Sequence, residues 1–266
     1  MTRSLEGARA GEGDPLIRPD AFIEYLAAQA GVSIQELRVA SVVVAVWSRP
    51  LYDGLTALLA AEQARAWWSG SHAVGMAAGQ AVSLVLLPVG APGTVMAMEE
   101  LIAAGAKAFI GSGLAGGLQP DCGPGSAVVA TAAIRDEGTS RHYADQSVDA
   151  RADEGLSKIL LAELAASGMR AQAGCVWTTD APYRELAGTV SRLRSAGVLA
   201  VDAETSAMYI LGMHRRVPVA NVLLISDVLS DSWLPAFASP EFAAALATLP
   251  TAIERVITSA LLAPQQ

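Results

Sequence analysis

Two carboxylates stand where predicted strands end, and such positions suit acid–base chemistry. Asp227 directly follows the very apolar run 217–225, and Glu204 follows the shorter run 198–201. In open α/β sheets, ligands bind where the carboxyl ends of strands meet the loops that open the next helix. An acid at the end of a buried strand can have a raised pKa and donate a proton. A carboxylate in the first turn of a helix can accept two hydrogen bonds from a diol. Structural roles stay open, because Asp227 can cap a helix and Glu204 can serve the helix dipole.

Three further segments occupy the same kind of position. Residues 90–94 read GAPGT, residues 111–117 read GSGLAGG, and residues 178–184 read TTDAPYR. Neither glycine segment has the spacing of a dinucleotide fingerprint or the lysine of a P-loop. Taken alone, these segments are more typical of structural turns than of ligand sites.

Strands alternate with helices along the chain. Apolar, largely β-branched runs predict strands at 42–46, 83–87, 108–110, 127–130, 172–177, 198–201 and 217–225. Periodic segments predict helices that include 55–66, one capped by Thr94, 155–166, 184–196 and 242–262. This order indicates a mainly parallel or mixed sheet with helices on both faces. We predict a single domain over residues 15–266 and a disordered tail at residues 1–14.

Composition limits the classes of partner and location. The chain has 266 residues, 52% of them hydrophobic, and a formal net charge of −8. That charge disfavours nucleic acid and anionic membranes, because both demand a basic surface. No signal pattern and no unbroken apolar run of about 18 residues is visible, so a cytoplasmic location is predicted. Cys122 and Cys175 lack metal-like spacing, and neither a metal nor a redox cofactor is expected.

Six ordered blocks between about residues 82 and 231 resemble the nucleoside phosphorylase family, and its uridine phosphorylase branch in particular. They read AMEELI, GGLQPD, ATAAIRDEGTSRHY, TTDAPYRE, GVLAVDAETSA and ISDVLSD. The resemblance implies a three-layer α/β/α sandwich whose mixed central sheet includes a distorted barrel. It also implies a homo-oligomer, either a trimer or a hexamer. The implied reaction is cleavage of the N-glycosidic bond of a nucleoside, with inorganic phosphate as co-substrate and no cofactor.

The resemblance also implies roles for individual residues. Glu204 would bind the ribose hydroxyls, and Asp227 would protonate or hydrogen-bond the leaving base. Thr94 would lie near both the ribose and the phosphate. The other implied substrate contacts are Gly116, Thr179, Tyr183, Arg184 and Ala203.

The phosphate ligands that the family leads us to expect are mostly missing. Residues 47–51 read WSRPL instead of Gly-Asp-Pro-x-Arg, and Gly111 stands in place of an arginine. A rebuilt phosphate site that combines side chains with backbone donors is the remaining possibility. Its predicted members are Ser48, Arg49, Gly93 and Thr94.

Three functions stay open. The branch resemblance favours phosphorolysis. Each lost charged hydrogen bond to phosphate costs ~1.5–3 kcal/mol, which favours water as the nucleophile and a hydrolytic nucleosidase as the alternative. The third possibility is a non-catalytic nucleoside-binding protein, and the presence of both Asp227 and Glu204 counts against it. The base also stays open, since Asp227 indicates a purine and Arg184 a pyrimidine.

Overall fold

The computed structural model describes residues 13–67 and 70–262. The strands are β1 (Val42–Val46), β2 (Glu62–Ala64), β3 (Ser71–Ala77), β4 (Gln80–Leu86), β5 (Ala108–Gly117), β6 (Ala127–Asp136), β7 (Ala150–Arg151), β8 (Ala171–Thr179), β9 (Ala200–Asp202), β10 (Val219–Leu229) and β11 (Trp233–Pro235). The helices are α1 (Pro19–Ala30), α2 (Arg49–Leu58), α3 (Ala91–Ala103), α4 (Glu154–Ala166), α5 (Ala187–Ser195), α6 (Thr205–Arg215) and α7 (Pro240–Leu262). Most of the predicted tail, residues 1–12, lies outside the described residues.

One mixed sheet forms the middle layer, which confirms the predicted fold class. Its strand order is β11-β10-β6-β8-β9-β5-β1-β4-β3-β2. Because β10 pairs with β6 on one side and with β5 on the other, the strands β5, β9, β8, β6 and β10 close on themselves. This closure is the distorted barrel that the family resemblance implies, and it gathers the carboxyl ends of β5 and β10.

Helices cover both faces of the sheet. Helices α1, α3 and α6 lie on one face, and α2, α4 and α7 lie on the other. Strand β1 is apolar throughout because both of its faces are covered. Val43 packs into the hydrophobic core on one face of the sheet, and Val44 packs into the core on the other face. Successive side chains of a strand point to opposite faces, so a strand covered on both faces buries every residue.

The closing helix α7 is part of the core. Among the described residues, it alone is long and apolar enough to cross a membrane. Its Leu249, Ile253, Val256 and Ile257 are fully buried in the core shared with α2, α4 and the sheet. The apolar face of α7 is therefore occupied by the rest of the domain.

The region after β1 differs from the prediction. The helix predicted over residues 55–66 begins at Arg49 and ends at Leu58, and two strands that were not predicted, β2 and β3, follow it. Pro50 suits the first turn of a helix, because a backbone N–H at that position would have no acceptor within the helix and proline has no N–H. The sequences of β2 and β3 carry few β-branched residues and therefore do not predict strands. They are strands because β2 pairs with β3 and β3 pairs with β4.

Candidate functional site

The carboxyl end of β5 brings several predicted residues together. Gly116 pairs with Asp227 on β10 and with Val201 on β9. A Cβ atom on Gly116 would lie 2.3 Å from Leu229 Cδ1 and 3.2 Å from Asp227 Oδ2. The absence of a side chain at Gly116 therefore lets side chains of β9 and β10 meet above β5.

Asp227 is held by two donors. The β5–β10 register shifts between Ile225 and Asp227, and such a bulge re-aims the following side chain. Ser226 Oγ donates to Asp227 Oδ1 at 2.8 Å, and Trp233 Nε1 donates to Asp227 Oδ2 at 2.8 Å. Trp233 lies on β11, antiparallel to the end of β10, and is 61% exposed. Both oxygens of this partly buried carboxylate thus accept hydrogen bonds from the chain itself.

Glu204 is more deeply buried, at 5% exposure. Its Oε1 accepts a hydrogen bond of 2.6 Å from the backbone N–H of Gly90, the residue before α3. Gly90 has a φ of 101°, a conformation that glycine adopts without steric cost. Burial first, and then the charge of Asp202, raise the pKa of Glu204 to about 8. Near neutral pH this side chain therefore carries a proton.

Asp202 organises the start of α6. Its Oδ1 accepts from Thr178 Oγ1 at 2.7 Å, and its Oδ2 accepts from Thr205 N at 2.9 Å and Thr205 Oγ1 at 2.5 Å. Burial raises the pKa of Asp202, and these hydrogen bonds act in the opposite direction. Because two hydroxyl groups stabilise the carboxylate of Asp202, we place the proton of this pair on Glu204.

Trp47 occupies the space beside Thr94. Its Nε1 donates to Thr94 Oγ1 at 2.8 Å, and Thr94 Oγ1 donates in turn to the carbonyl of Pro88 at 3.3 Å. The indole also covers Gly113, since a Cβ there would lie 3.4 Å from Trp47 Cε3. The fully buried hydroxyl of Thr94 is therefore already engaged by the chain.

The prediction that Thr94 caps its helix is wrong. Helix α3 begins at Ala91, and the backbone N–H of Thr94 already donates to the carbonyl of Gly90. Gly93 lies in the same turn, where a Cβ would be 3.0 Å from Pro88 Cβ. Gly93 and Thr94 therefore both lie in the first turn of α3, which is where the predicted phosphate site requires them.

The other two predicted phosphate ligands begin α2. Ser48 is buried and precedes the helix without a side-chain capping hydrogen bond. The guanidinium of Arg49 donates to Ser71 Oγ at 3.2 Å, lies 3.6 Å from Asp53 and sits 5.4 Å from the centroid of the Tyr52 ring. These contacts direct Arg49 toward α2 and β3 instead of toward Thr94.

The predicted site residues in the segment after β8 differ in how deeply they are buried. Thr179 is buried and its Oγ1 accepts from the N–H of Ala181 at 3.3 Å. A 3-10 turn spans Pro182–Arg184, so the helix predicted from Arg184 begins only at Ala187. Tyr183 is 99% exposed, which leaves its ring outside the cluster around Gly116. Arg184 is exposed as well, whereas Ala203 is partly buried beside Glu204.

Glu185 is a residue of this region that sequence analysis did not single out. It is partly buried, and burial followed by the charge of Asp227 raises its pKa to about 7. In the sequence Glu185 directly follows Arg184, and adjacent residues of opposite charge are typical of a solvated surface. Its place at the end of the TTDAPYRE block was the one available signal.

The described cavities lie away from this cluster. One of about 390 Å³ opens beside the end of α6, and one of about 620 Å³ lies between α2 and α7. Neither is lined by Glu204 or Asp227. The candidate site is instead a cluster at the carboxyl edge of β5, with Asp227 on one neighbouring strand and Glu204 just beyond the other. Within the described ranges, no group of three or more His, Cys, Asp or Glu side chains is arranged to hold a metal.

A mixed α/β sheet with carboxylates at its strand ends is typical of α/β proteins that bind small molecules. The chain belongs to the phosphorylase superfamily, whose family model matches residues 68–261.

Named relatives agree with this assignment. Uridine phosphorylase of Treponema pallidum (strain Nichols) is 35% identical over 155 residues, which cover 54% of this chain and 60% of the relative. Guanosine phosphorylase of Halorubrum lacusprofundi is 28% identical over 141 residues, 53% of this chain and 58% of the relative. The chain thus spans less than two thirds of the length of these relatives. The crystal structure of uridine phosphorylase from Vibrio fischeri ES114 superposes with a TM-score of 0.75 at 25% identity, covering 85% of this chain and 93% of that one.

Proposed function

We propose that the chain cleaves the N-glycosidic bond of a nucleoside by phosphorolysis, giving a free base and a pentose 1-phosphate. The observation that carries the proposal is that Gly116 pairs with Asp227 on β10 and with Val201 on β9, the strand that leads to Glu204. The relatives named uridine phosphorylase and guanosine phosphorylase support the reaction and leave the base open between a pyrimidine and a purine.

Glu204 and Asp227 have different roles in the proposed reaction. Departure of the base leaves positive charge on the anomeric carbon and negative charge on the base, so the enzyme must stabilise both. The Gly90 N–H holds one oxygen of Glu204, which fixes the carboxyl group as a binding partner for the sugar hydroxyls. Asp227, which pairs with Gly116 from β10, would contact the leaving base. The remaining implied contacts, Thr179, Tyr183, Arg184 and Ala203, stay predictions.

The proposal includes the assembly and location predicted from the sequence. We expect a homo-oligomer, either a trimer or a hexamer. No nucleic acid, membrane, metal or cofactor enters the reaction, and a cytoplasmic location suits a free nucleoside substrate. Light scattering at several protein concentrations tests the assembly, and a stable monomer would contradict it.

Release of free base from a panel of nucleosides, with and without inorganic phosphate, tests the reaction. We expect release to depend on phosphate and the sugar product to carry a phosphorus resonance. Binding of nucleosides without any release would indicate the non-catalytic alternative.

A hydrolytic nucleosidase is the second candidate, and a specific contact favours it. Trp47 already donates to Thr94, and Arg49 is directed to Ser71 and Asp53. Equal release of base in phosphate-free buffer, with a reducing sugar as product, would establish hydrolysis. Trp47→Phe removes the indole donor and keeps an aromatic ring. If the indole limits phosphate binding, this variant should lower the KM for phosphate.

A further inference from the structure

We infer that Trp233 determines which nucleosides the site accepts, because its indole N–H occupies the oxygen of Asp227 that a base would contact. The base then binds by taking the place of the indole at this oxygen. This inference rests on the proposed function and names the class of base, which is one whose ring carries an N–H donor. Trp233 lies outside the six sequence blocks that carry the family resemblance.

Strand β11 places the indole on the same face of the sheet as Asp227. Trp233 pairs with Leu229 across the antiparallel β10–β11 ladder, and residues paired in this way point to the same face. Leu229 and Asp227 are two residues apart on β10, so their side chains share that face. Trp233 and Asp227 are therefore diagonal neighbours, and Trp233 Nε1 donates to Asp227 Oδ2 at 2.8 Å.

The two oxygens of Asp227 have different surroundings. Oδ1 accepts a hydrogen bond of 2.8 Å from the hydroxyl group of the preceding residue, Ser226. Oδ2 lies 3.2 Å from the position that a Cβ on Gly116 would take, so this oxygen is directed over the carboxyl end of β5, where the candidate site lies. A base that approaches Asp227 above β5 therefore competes with the indole of Trp233 for Oδ2.

The indole is held at this position by its hydrogen bond more than by burial. Trp233 is 61% exposed, and all three residues of β11 are exposed. Strand β11 lies at the edge of the sheet and, among the described strands, pairs with β10 alone. One hydrogen bond changes an equilibrium constant by roughly 2–10-fold, so a base that offers an equivalent donor can replace the indole.

The class of base follows from the group that it replaces. The indole of Trp233 offers one ring N–H donor and no acceptor. Once the indole leaves, Asp227 Oδ2 needs another donor, because a polar atom that loses its partner inside a complex costs free energy. The ring N–H of uracil or of hypoxanthine supplies the same kind of donor from a flat ring. A base that is methylated at this nitrogen displaces the indole and leaves Oδ2 without a partner.

The first test removes the indole N–H and keeps an aromatic ring. Trp233→Phe should lower the KM for uridine and for inosine, whichever of them is cleaved, by about 3–10-fold, because the base no longer replaces a hydrogen bond. The kcat should stay within about twofold, as expected for a change in substrate binding alone. Leu234→Ala is the matched control, since Leu234 is an exposed neighbour on β11 and its variant should match the wild type in both constants.

Methylated nucleosides test the class of base. The compounds 3-methyluridine and 1-methylinosine lack the ring N–H and otherwise match uridine and inosine. Their KM should exceed that of the parent nucleoside in the wild type, and Trp233→Phe should not lower it, because they cannot donate to the freed oxygen of Asp227. An equal fall in KM for parent and methylated nucleosides would overturn the assignment of a ring N–H donor.

The indole N–H itself reports the replacement. In a heteronuclear magnetic resonance spectrum, its signal is the one that is missing from Trp233→Phe. Saturating uracil or hypoxanthine should shift this signal in the wild type and speed the exchange of its proton with solvent. An unmoved signal at a base concentration that inhibits turnover, or an unchanged KM in Trp233→Phe, would overturn the inference. A wild type that releases no base from any nucleoside would reject the proposed function itself, which separates the two failures.

Discussion

The candidate site includes two pairs of carboxyl groups, Asp202 with Glu204 just before α6 and Glu185 with Asp227 near the end of β10, and their surroundings differ. Asp202 and Glu204 are two residues apart, almost fully buried, and fixed by hydroxyl and backbone donors. Glu185 and Asp227 come from distant parts of the chain and are partly exposed; the charge of Asp227 acts on Glu185, and the exposed indole of Trp233 donates to Asp227.

The inner pair, Asp202 and Glu204, and the outer pair, Glu185 and Asp227, have the same arrangement of groups and differ in exposure to solvent. In each pair one aspartate accepts hydrogen bonds from the chain, and the pKa of the neighbouring glutamate is raised, to about 8 for Glu204 and about 7 for Glu185. Burial suits the inner pair to holding a ligand in a fixed geometry. The outer pair is partly exposed to solvent. The predictions below test that division.

The largest expected effect on activity is on sugar binding by the inner pair. Glu204→Gln replaces the protonated carboxyl group by an amide with a different arrangement of donors, so kcat/KM for ribonucleosides should fall by about 10–100-fold, at ~0.5–1.5 kcal/mol for each of two neutral hydrogen bonds. The loss should be smaller for 2′-deoxyribonucleosides, which lack one of the hydroxyls. Steady-state kinetics on both sugars measure it, with Glu100→Gln as a buried control on α3. Equal losses on both sugars would contradict the sugar role.

The inner pair should also make stability depend on pH. The pKa of Glu204 is about 8 in the folded chain, against an ordinary value of 4.5. Between these values the folded state binds more protons than the unfolded state, so the free energy of unfolding falls as pH rises through this window. The total should reach a few kcal/mol, at roughly 1.4 kcal/mol per pKa unit.

Glu204→Gln removes this titration and should flatten the curve. Denaturant unfolding from about pH 5 to about pH 9 measures it. The stability of this variant relative to the wild type should grow with pH, and parallel curves for the two proteins would contradict the raised pKa.

The two aspartates should differ in their contribution to stability. Asp202→Asn places an amide donor against hydroxyl and backbone donors in a buried site, and we expect a loss of about 2–4 kcal/mol. Asp227→Asn, at the partly exposed edge, should cost less than about 1 kcal/mol. Similar unfolding free energies for the two variants would erase the distinction between the pairs.

Filling the space above Gly116 should cost less stability than Asp202→Asn. Gly116→Ala forces Leu229 and Asp227 aside and should cost about 1–3 kcal/mol, the usual cost of overpacking. Gly123→Ala is the control, because a Cβ there meets nothing within 4 Å. A Gly116→Ala variant as stable and as active as the control would show that the approach of β9 and β10 above Gly116 is not needed.

Much of the fold could be predicted from the sequence. Apolar, β-branched runs predicted β1, β6 and β10, because strands covered on both faces bury every side chain. The segments β2 and β3 could not be found in this way, since pairing alone makes them strands. The start of α3 was placed at Thr94 instead of Ala91, because the conformation of Gly90 ends the preceding loop and the sequence shows only a glycine.

The candidate site divides in the same manner. The sequence by itself predicts Glu204, Asp227 and Gly116 as site residues, because residue type, strand ends and ordered family blocks are local properties of the chain. Only the tertiary structure decided that Trp47 contacts Thr94, that Arg49 is directed to Ser71, and that Glu185 lies under the influence of Asp227. These contacts join segments that are distant in the chain, and a protonation state depends on burial and on neighbouring charge, which only folding brings together.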